Sequence, residues 1–317
     1  MSDNQAAQTS LLPPGAFDTH VHVFDPNLGP YHPSRAYTPA DAPLSDLLGF
    51  LTSLTTSRKS TNIVLVQPSP YRTDNKVLLA ALGQLQLDAS VIARGIAVVD
   101  LDSVSESALG DMHAAGIRGL RLNLQSDGRD VDMELLYKNM HKAANLIQSL
   151  PGWKLQIFCR GSMWERLYSI IVDLPVQVIA DHIGGLLGSS KLQEAATPAD
   201  ALHQPGFRQL LDLARLGRVV IKVSALYRSS DETATTYADM APIISKLAQE
   251  APDSLIWASD WPHTGEGANR VGGKNLEKIE EFRKIDDAAI LTKLREWVGD
   301  EQVWHKMMVV NPKRVFY

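Results

Sequence analysis

Two histidines separated by a single residue are the clearest chemical feature of the sequence. They are His20 and His22, in the segment Asp18-Thr19-His20-Val21-His22. If this segment is a β-strand, residues i and i+2 point to the same side, so the two imidazole rings converge. Such a pair can bind a divalent metal ion or, when neutral, donate hydrogen bonds to a carbonyl oxygen. Taken alone, the pattern is equally compatible with two rings packed in a protein core.

Two later segments bring further histidines and carboxylates to the ends of apolar runs. One run ends in Asp181-His182 and another in Asp260-Trp261-Pro262-His263. On the second run Ile256, Ala258 and Asp260 share one face, which places a carboxylate at the position expected of a general base. An aspartate could instead cap the following turn, and His182 could bind a buried carbonyl. Three strand ends that share these residue types favour one catalytic site over three separate structural roles.

The elements that must position these residues alternate along the chain. Eight short β-branched segments are predicted strands, at residues 16–24, 62–67, 93–98, 118–123, 154–158, 176–180, 218–223 and 255–259. Helical periodicity between them is clearest over 44–57, 75–87, 132–150 and 237–250. Eight strand–helix units favour a single distorted (β/α)8 barrel over residues 15–317, preceded by a flexible leader over 1–14. In such a barrel the chemistry lies at the C-terminal ends of the strands.

Composition excludes several classes of protein. The 317 residues are 44% hydrophobic and 21% charged, with a net charge of -5, so no overall positive field exists to attract nucleic acid or anionic lipid. No apolar run approaches the ~20 residues of a membrane helix. The single cysteine, Cys159, is expected to be a core thiol in a reducing compartment, which predicts a cytoplasmic protein. A homo-oligomer is compatible with the sequence but is not indicated by it.

The ordered set of motifs resembles the amidohydrolase superfamily (amidohydrolase-related family 2). Within it the chain is most similar to the branch of 2-pyrone-4,6-dicarboxylate lactonase and related sugar and muconate lactonases. The matching motifs are Asp18-Thr19-His20-Val21-His22-Val23-Phe24, Gln67-Pro68-Ser69 with Thr73-Asp74-Asn75, Arg118-Gly119-Leu120-Arg121-Leu122-Asn123, Asp181-His182-Ile183-Gly184, Lys222-Val223-Ser224 through Arg228, Ser259-Asp260-Trp261-Pro262-His263, and Asn311-Pro312. They span the whole predicted barrel.

This resemblance implies a hydrolase that opens a lactone, which is a cyclic ester. Asp260 would take a proton from water while His20, His22 and His182 polarise the lactone carbonyl. The arginines that match the family's carboxylate-binding positions are Arg121 and Arg228, and further substrate contacts are implied for Tyr37 and Ser69. The expected ligand is therefore a small anionic lactone.

The chain also departs from the family pattern. Arg129 stands later than the family's next arginine, and strand five offers Gln156, Phe158 and Arg160 where the family has a substrate-contacting tyrosine. We therefore expect Gln156 and Arg129, with His263, to contribute to substrate binding. Loss of one arginine favours a monocarboxylate or a sugar lactone, unless Arg160 supplies an anion site in a new position.

Metal use follows from the residues available. The resemblance implies that a binuclear centre would need a histidine on strand five and a bridging lysine on strand four or five. Strand five has no histidine, and neither strand ends in a lysine; the branch that the chain resembles also includes metal-independent enzymes. We expect no required metal or cofactor. The alternative is one zinc or manganese on His20, His22, His182 and Asp260, which would suit a metal-dependent decarboxylase of an aromatic or muconate-type acid. A barrel without activity is disfavoured because all four residues are present.

Overall fold

The computed structural model describes residues 10–55, 61–124, 132–193, 195–265 and 276–317. Eight parallel strands pair consecutively, each with the next along the chain. They are β1 Phe17–Val21, β2 Asn62–Val66, β3 Ala93–Ala97, β4 Ile117–Asn123, β5 Lys154–Phe158, β6 Val178–Ala180, β7 Val219–Val223 and β8 Leu255–Trp257. The predicted (β/α)8 barrel is confirmed, and all eight predicted strands are present.

The seam between β1 and β8 is where the barrel is distorted. The Asp260 amide donates to the His20 carbonyl (3.0 Å), and the His22 amide donates to the Trp261 carbonyl (2.9 Å). These hydrogen bonds lie beyond the last residue of β8, so the chain segments that carry the predicted catalytic residues also close the barrel.

Helices cover the outside of the barrel, and the short helix after β7 contributes to the wall of a cavity at the C-terminal ends of the strands. The structure has α1 Leu44–Ser53, α2 Lys76–Leu85, α3 Glu106–Ala114, α4 Met133–Ile147, α5 Trp164–Asp173, α6 Phe207–Arg215, α7 Leu226–Ser229, α8 Ala241–Glu250, α9 Asp287–Val298, α10 Glu301–His305 and α11 Asn311–Phe316. The four predicted helices are confirmed with shorter ends. In the described ranges, no helix has the length and hydropathy to cross a membrane.

Apolar packing separates the barrel into two regions. The main core lies between strands and helices and includes Cys159, which is buried as predicted. A smaller cluster of strand residues such as Val64 and Ile179 packs against Val315 and Phe316 of α11. The interior of the barrel is therefore apolar on the side of the C-terminal helix, and its polar residues collect at the strand ends.

Candidate active site

A cavity of about 390 Å³ lies at the C-terminal ends of the strands. The predicted site residues in its wall are His22, Tyr37, Ser69, Arg121, His182, Arg228 and Asp260. His20 lies directly behind His22, with 3.2 Å between their Nε2 atoms. The structure therefore brings all four predicted catalytic residues together, along with both predicted carboxylate-binding arginines.

One carboxylate oxygen of Asp260 faces the three histidines. Its Oδ1 lies 3.6 Å from Nε2 of His20, 3.7 Å from Nε2 of His22 and 3.8 Å from Nε2 of His182. This oxygen is buried and has no hydrogen-bond partner among the described residues. A buried carboxylate oxygen without a donor is costly unless a ligand or water supplies one. The geometry therefore indicates a position for a small reactant between the four side chains.

The other oxygen of Asp260 is held firmly. Oδ2 accepts hydrogen bonds from the Tyr227 hydroxyl (2.6 Å) and from Nε (3.0 Å) and Nη2 (2.9 Å) of Arg228. Burial by itself would raise the pKa of Asp260, but the Arg228 guanidinium and the neighbouring imidazoles hold it well below the ordinary range. Asp260 is therefore ionised, with a fixed orientation and one oxygen directed at the histidines.

The Nδ1 atoms of two histidines are anchored behind the site. His22 Nδ1 donates to the Val66 carbonyl (2.7 Å), since a carbonyl can only accept, so the neutral ring presents a lone pair at Nε2. His182 Nδ1 lies 2.9 Å from Ser224 Oγ. Burial lowers the pKa of both His22 and His182 to about 4. Both rings are therefore neutral at neutral pH.

His20 is held by a buried charge cluster. Its Nδ1 lies 3.2 Å from Asp181 Oδ1 and 3.2 Å from Lys222 Nζ. Asp181 Oδ2 in turn accepts from Arg121 Nε (3.0 Å) and Gln156 Nε2 (3.0 Å). Burial raises the pKa of Asp181, but His20, Lys222 and Arg121 outweigh it and hold this pKa well below the ordinary value. The cluster fixes the position of His20 and places one acceptor and one donor within reach of its Nδ1.

Sequence reasoning assigned no role to Lys222 or Tyr227, although both touch the site. Lys222 is completely buried near the end of the apolar strand β7, and burial lowers its pKa to about 8. A lysine inside the run Val-Val-Ile-Lys-Val was the available signal, because an isolated ammonium is rarely buried without partners. For Tyr227 no sequence signal distinguished the hydroxyl that binds Asp260 from an ordinary core tyrosine.

The structure does not place Gln156, a predicted substrate contact, in the cavity wall. Its side-chain amide is fully buried below the cavity, where Nε2 donates to Asp181 and Oε1 accepts from Lys222 Nζ (2.8 Å). Both ends of the amide are used within the charge cluster. Phe158 and Arg160, which are closer to the strand end, line the cavity instead.

His263 is also placed differently from the prediction. It lies outside the cavity wall, and its Nε2 is 2.9 Å from Asp287 Oδ2 at the start of α9. Positive φ angles at Asp260 (66°) and His263 (69°) turn the chain so that these two side chains face different parts of the molecule. Arg129, the remaining predicted substrate contact, lies outside the described residues.

Three of the convergent side chains fit a single divalent ion. His20, His22 and Asp260 offer ligand atoms within 4.8 Å of one another, and His182 Nε2 also faces Asp260. Anchored Nδ1 atoms behind liganding Nε2 atoms are a common arrangement in metal sites. An ion held by these residues would act as a Lewis acid on a carbonyl oxygen. The orphaned oxygen of Asp260 is equally suited to accept a proton from water.

The fold and the site define a (β/α)8 barrel with a histidine and aspartate centre at its strand ends. The sequence matches the amidohydrolase family over residues 17–317, and the chain belongs to this family. The resemblance found in the sequence motifs is therefore confirmed.

Relatives align over nearly the whole chain. A 4-sulfomuconolactone hydrolase of Rhizobium radiobacter is 30% identical over 308 residues, covering 96% of this chain and 91% of the relative. A 2-pyrone-4,6-dicarboxylate hydrolase of Comamonas testosteroni is 28% identical over 315 residues, with the same coverage of 96% and 91%. A solved structure from Agrobacterium tumefaciens superposes with a TM-score of 0.73 at 20% identity and 96% coverage of both chains, which supports the fold alone.

Proposed function

We propose that this protein hydrolyses a small lactone that carries a carboxylate or sulfonate group. The relatives confirm the enzyme class, because their names describe hydrolases of lactones, and a lactone is a cyclic ester. The observation that carries the proposal is the single free oxygen of Asp260, directed at three buried imidazoles within 3.6–3.8 Å. That arrangement suits a water molecule attacking a carbonyl held against the histidines.

In this mechanism Asp260 Oδ1 accepts a proton as the water oxygen bonds to the lactone carbonyl carbon. The carbonyl oxygen becomes an oxyanion, which needs hydrogen-bond donors. His22 cannot donate through Nε2 while its proton is on Nδ1, so in our proposal it accepts from the water and orients it. The proposed donors are Nε2–H of His20, in the tautomer whose Nδ1 accepts from Lys222 rather than donating to Asp181, and Nε2–H of His182, in the tautomer whose Nδ1 accepts from Ser224.

Collapse of this intermediate breaks the bond between the carbonyl carbon and the ring oxygen. The proton on Asp260 passes to the departing ring oxygen, so the carboxylate is regenerated. The product is an open-chain carboxylic acid with a new hydroxyl or enol group. No covalent bond between enzyme and substrate is needed, since water itself is the nucleophile.

We also propose that turnover requires no metal ion. Asp260 is paired with Arg228, and Asp181 with Arg121 and Lys222, so three buried cations already face two carboxylates. A divalent ion would add positive charge to a cluster that already has an excess of it, whereas an anionic substrate would balance that excess. The same four side chains would hold zinc or manganese in the decarboxylase alternative.

The test is hydrolysis by metal-stripped protein of carboxylated pyrones, muconolactones and sugar lactones, with residual metal measured in the same sample. We expect turnover at negligible metal content. We expect Asp260→Asn to lower kcat by about 10²- to 10⁴-fold with the thermal transition retained, because the base is lost and the shape is kept. The matched control is Asp287→Asn, which removes a buried carboxylate that pairs with His263 outside the cavity.

Three results would contradict these proposals. Turnover by Asp260→Asn within threefold of wild type would refute the assignment of the base. Activity that returns only with added zinc or manganese would refute metal independence. Loss of carbon dioxide from an aromatic or muconate-type acid by the metal-loaded protein would establish the decarboxylase instead.

A further inference from the structure

Arg160 differs from the other two arginines of the cavity wall. Arg121 donates to Asp181 and Arg228 donates to Asp260, so each is already engaged by a carboxylate of the site. Arg160 also lines the cavity, and its residue is exposed. Within the described ranges its guanidinium has no hydrogen-bond or ion-pair partner. It is therefore a cavity cation whose donors remain available to a ligand.

The backbone that carries Arg160 is held in place by two glycine turns. At Gly185, where φ is +69°, a Cβ would collide with the carbonyl oxygen of Cys159. At Gly206, where φ is +84°, a Cβ would collide with the carbonyl oxygen of Gly161. The Arg160 carbonyl also accepts a hydrogen bond from the Met163 amide (3.0 Å). The close-packed backbone fixes the point from which the Arg160 side chain extends, so only the torsions of the side chain itself remain to be ordered on binding.

We propose that Arg160 binds an anionic substituent of the substrate that is remote from the scissile ester. The inference rests on the proposed lactone hydrolysis and narrows its substrate class. The substrates would be lactones whose carboxylate or sulfonate extends from the histidine centre toward the end of β5. A guanidinium suits this role because it presents two parallel N–H donors to a carboxylate or sulfonate.

Anion binding by Arg160 would leave the contacts that hold the proposed base, Asp260, undisturbed. Arg228 holds Asp260 in position, and Arg121 holds the cluster that positions His20. If Arg228 had to turn toward the substrate anion, it would release a buried carboxylate at the moment of reaction, which is costly, whereas Arg121 contributes only its Nε to the cluster. An additional arginine at the cavity wall removes that conflict.

The test compares Arg160→Gln with Arg166→Gln, an exposed arginine of α5 that lies outside the cavity wall. The substrates are 2-pyrone-4,6-dicarboxylate and the uncharged parent 2-pyrone. We expect Arg160→Gln to raise KM for the dicarboxylate about tenfold, with kcat changed by less than threefold. The ratio of kcat/KM between dicarboxylate and parent should fall about tenfold. Arg160→Lys should restore part of this ratio, and Arg166→Gln should leave it unchanged.

A second measurement does not depend on turnover. Benzene-1,3-dicarboxylate, which carries two carboxylates in the same relative positions, is titrated calorimetrically into wild type and both glutamine variants. We expect weaker binding by Arg160→Gln alone. Equal binding by Arg160→Gln and wild type, or no binding by wild type, overturns the role of Arg160. Absence of lactone turnover in wild type with Arg160-dependent binding would instead overturn the proposed hydrolysis and leave the anion site in place.

Discussion

At the scale of single residues, the two carboxylate oxygens of Asp260 have different surroundings and different roles. Oδ2 is saturated by Tyr227 and Arg228, whereas Oδ1 faces only imidazole rings. A carboxylate held in this way has one direction available for proton transfer. The cost is reduced basicity, because the cation that orients the carboxylate also lowers its pKa. Catalysis must then rely on close placement and on donors to the oxyanion.

The pH dependence of turnover follows from these groups. Protonation of Asp260 or of a site histidine requires a pH near 4 or below, because the pKa values of His22 and His182 are lowered to about 4. We expect kcat/KM to rise to a plateau by about pH 5 and to fall near pH 8, where Lys222, with a pKa lowered to about 8, loses its proton. Initial rates across pH 3.5–9 on a stable lactone measure this. An acid limb near the ordinary histidine value would contradict neutral, buried imidazoles.

At the scale of the elements, the turns after the strands are as important as the strands. His182 and Asp260 both have positive φ, 52° and 66°, where side chains other than glycine are rare. Such strain persists only where surrounding contacts impose it, and it is frequent at functional sites. After β6 the same turn continues into Gly185, whose backbone packs against the end of β5. One turn therefore positions both His182 and the cavity wall that holds Arg160.

Gly185→Ala tests this packing, and Gly217→Ala is its matched control. Both glycines have nearly the same φ, +69° and +68°, but a Cβ at Gly217 has no atom within 4 Å, whereas one at Gly185 meets the Cys159 carbonyl. We expect Gly217→Ala to lower the free energy of unfolding by about 1 kcal/mol from backbone strain alone. Gly185→Ala should lower it by about 3 kcal/mol or more, because the backbone must also shift. Urea denaturation measures both, and equal losses would show that the turn is loosely packed.

At the scale of the whole molecule, the seam between β1 and β8 contains both contacts that close the barrel and residues of the candidate site. Asp18 spans it, with Oδ1 accepting from the Ser259 amide (3.0 Å) and the His20 amide (3.3 Å). Its Oδ2 is buried without a donor in the part of the chain that the structure describes. Burial raises the pKa of Asp18 to about 7. A buried carboxyl group thus closes the barrel, and the folded state is more stable when this group is protonated than when it is ionised.

The pH dependence of stability should reveal this group. Because the folded-state pKa is raised, the contribution of Asp18 is fully present below its ordinary value and is lost as pH rises through about 7. Asp18→Asn retains the acceptor but does not ionise. The free energy of unfolding of Asp18→Asn minus that of wild type should be larger at pH 8 than at pH 5, in the direction of a more stable variant, by about 3 kcal/mol. Denaturation at both pH values measures this, with the exposed Asp173→Asn as control; a pH-independent difference would refute it.

Residue order alone was enough to predict the barrel and the set of histidines and aspartates that meet at one end of it. Apolar segments of strand length, separated by helical periodicity, can bury their surface in few ways, and alternation along β1 places His20 and His22 on the same face. Residues at strand ends must then meet at one end of the barrel. These inferences depend only on local period and chain direction, which are readable from residue order.

The depth of each side chain and the pairing of the charges are visible only in the folded molecule. Gln156 shares a strand face with Phe158, but two residues of depth place it in a charge cluster with Lys222 rather than in the cavity. His263 follows Asp260 closely in sequence, yet the intervening turn directs it to Asp287. Such pairings join residues far apart in the chain, and their energies depend on distance and on exclusion of water. Residue order carries neither quantity.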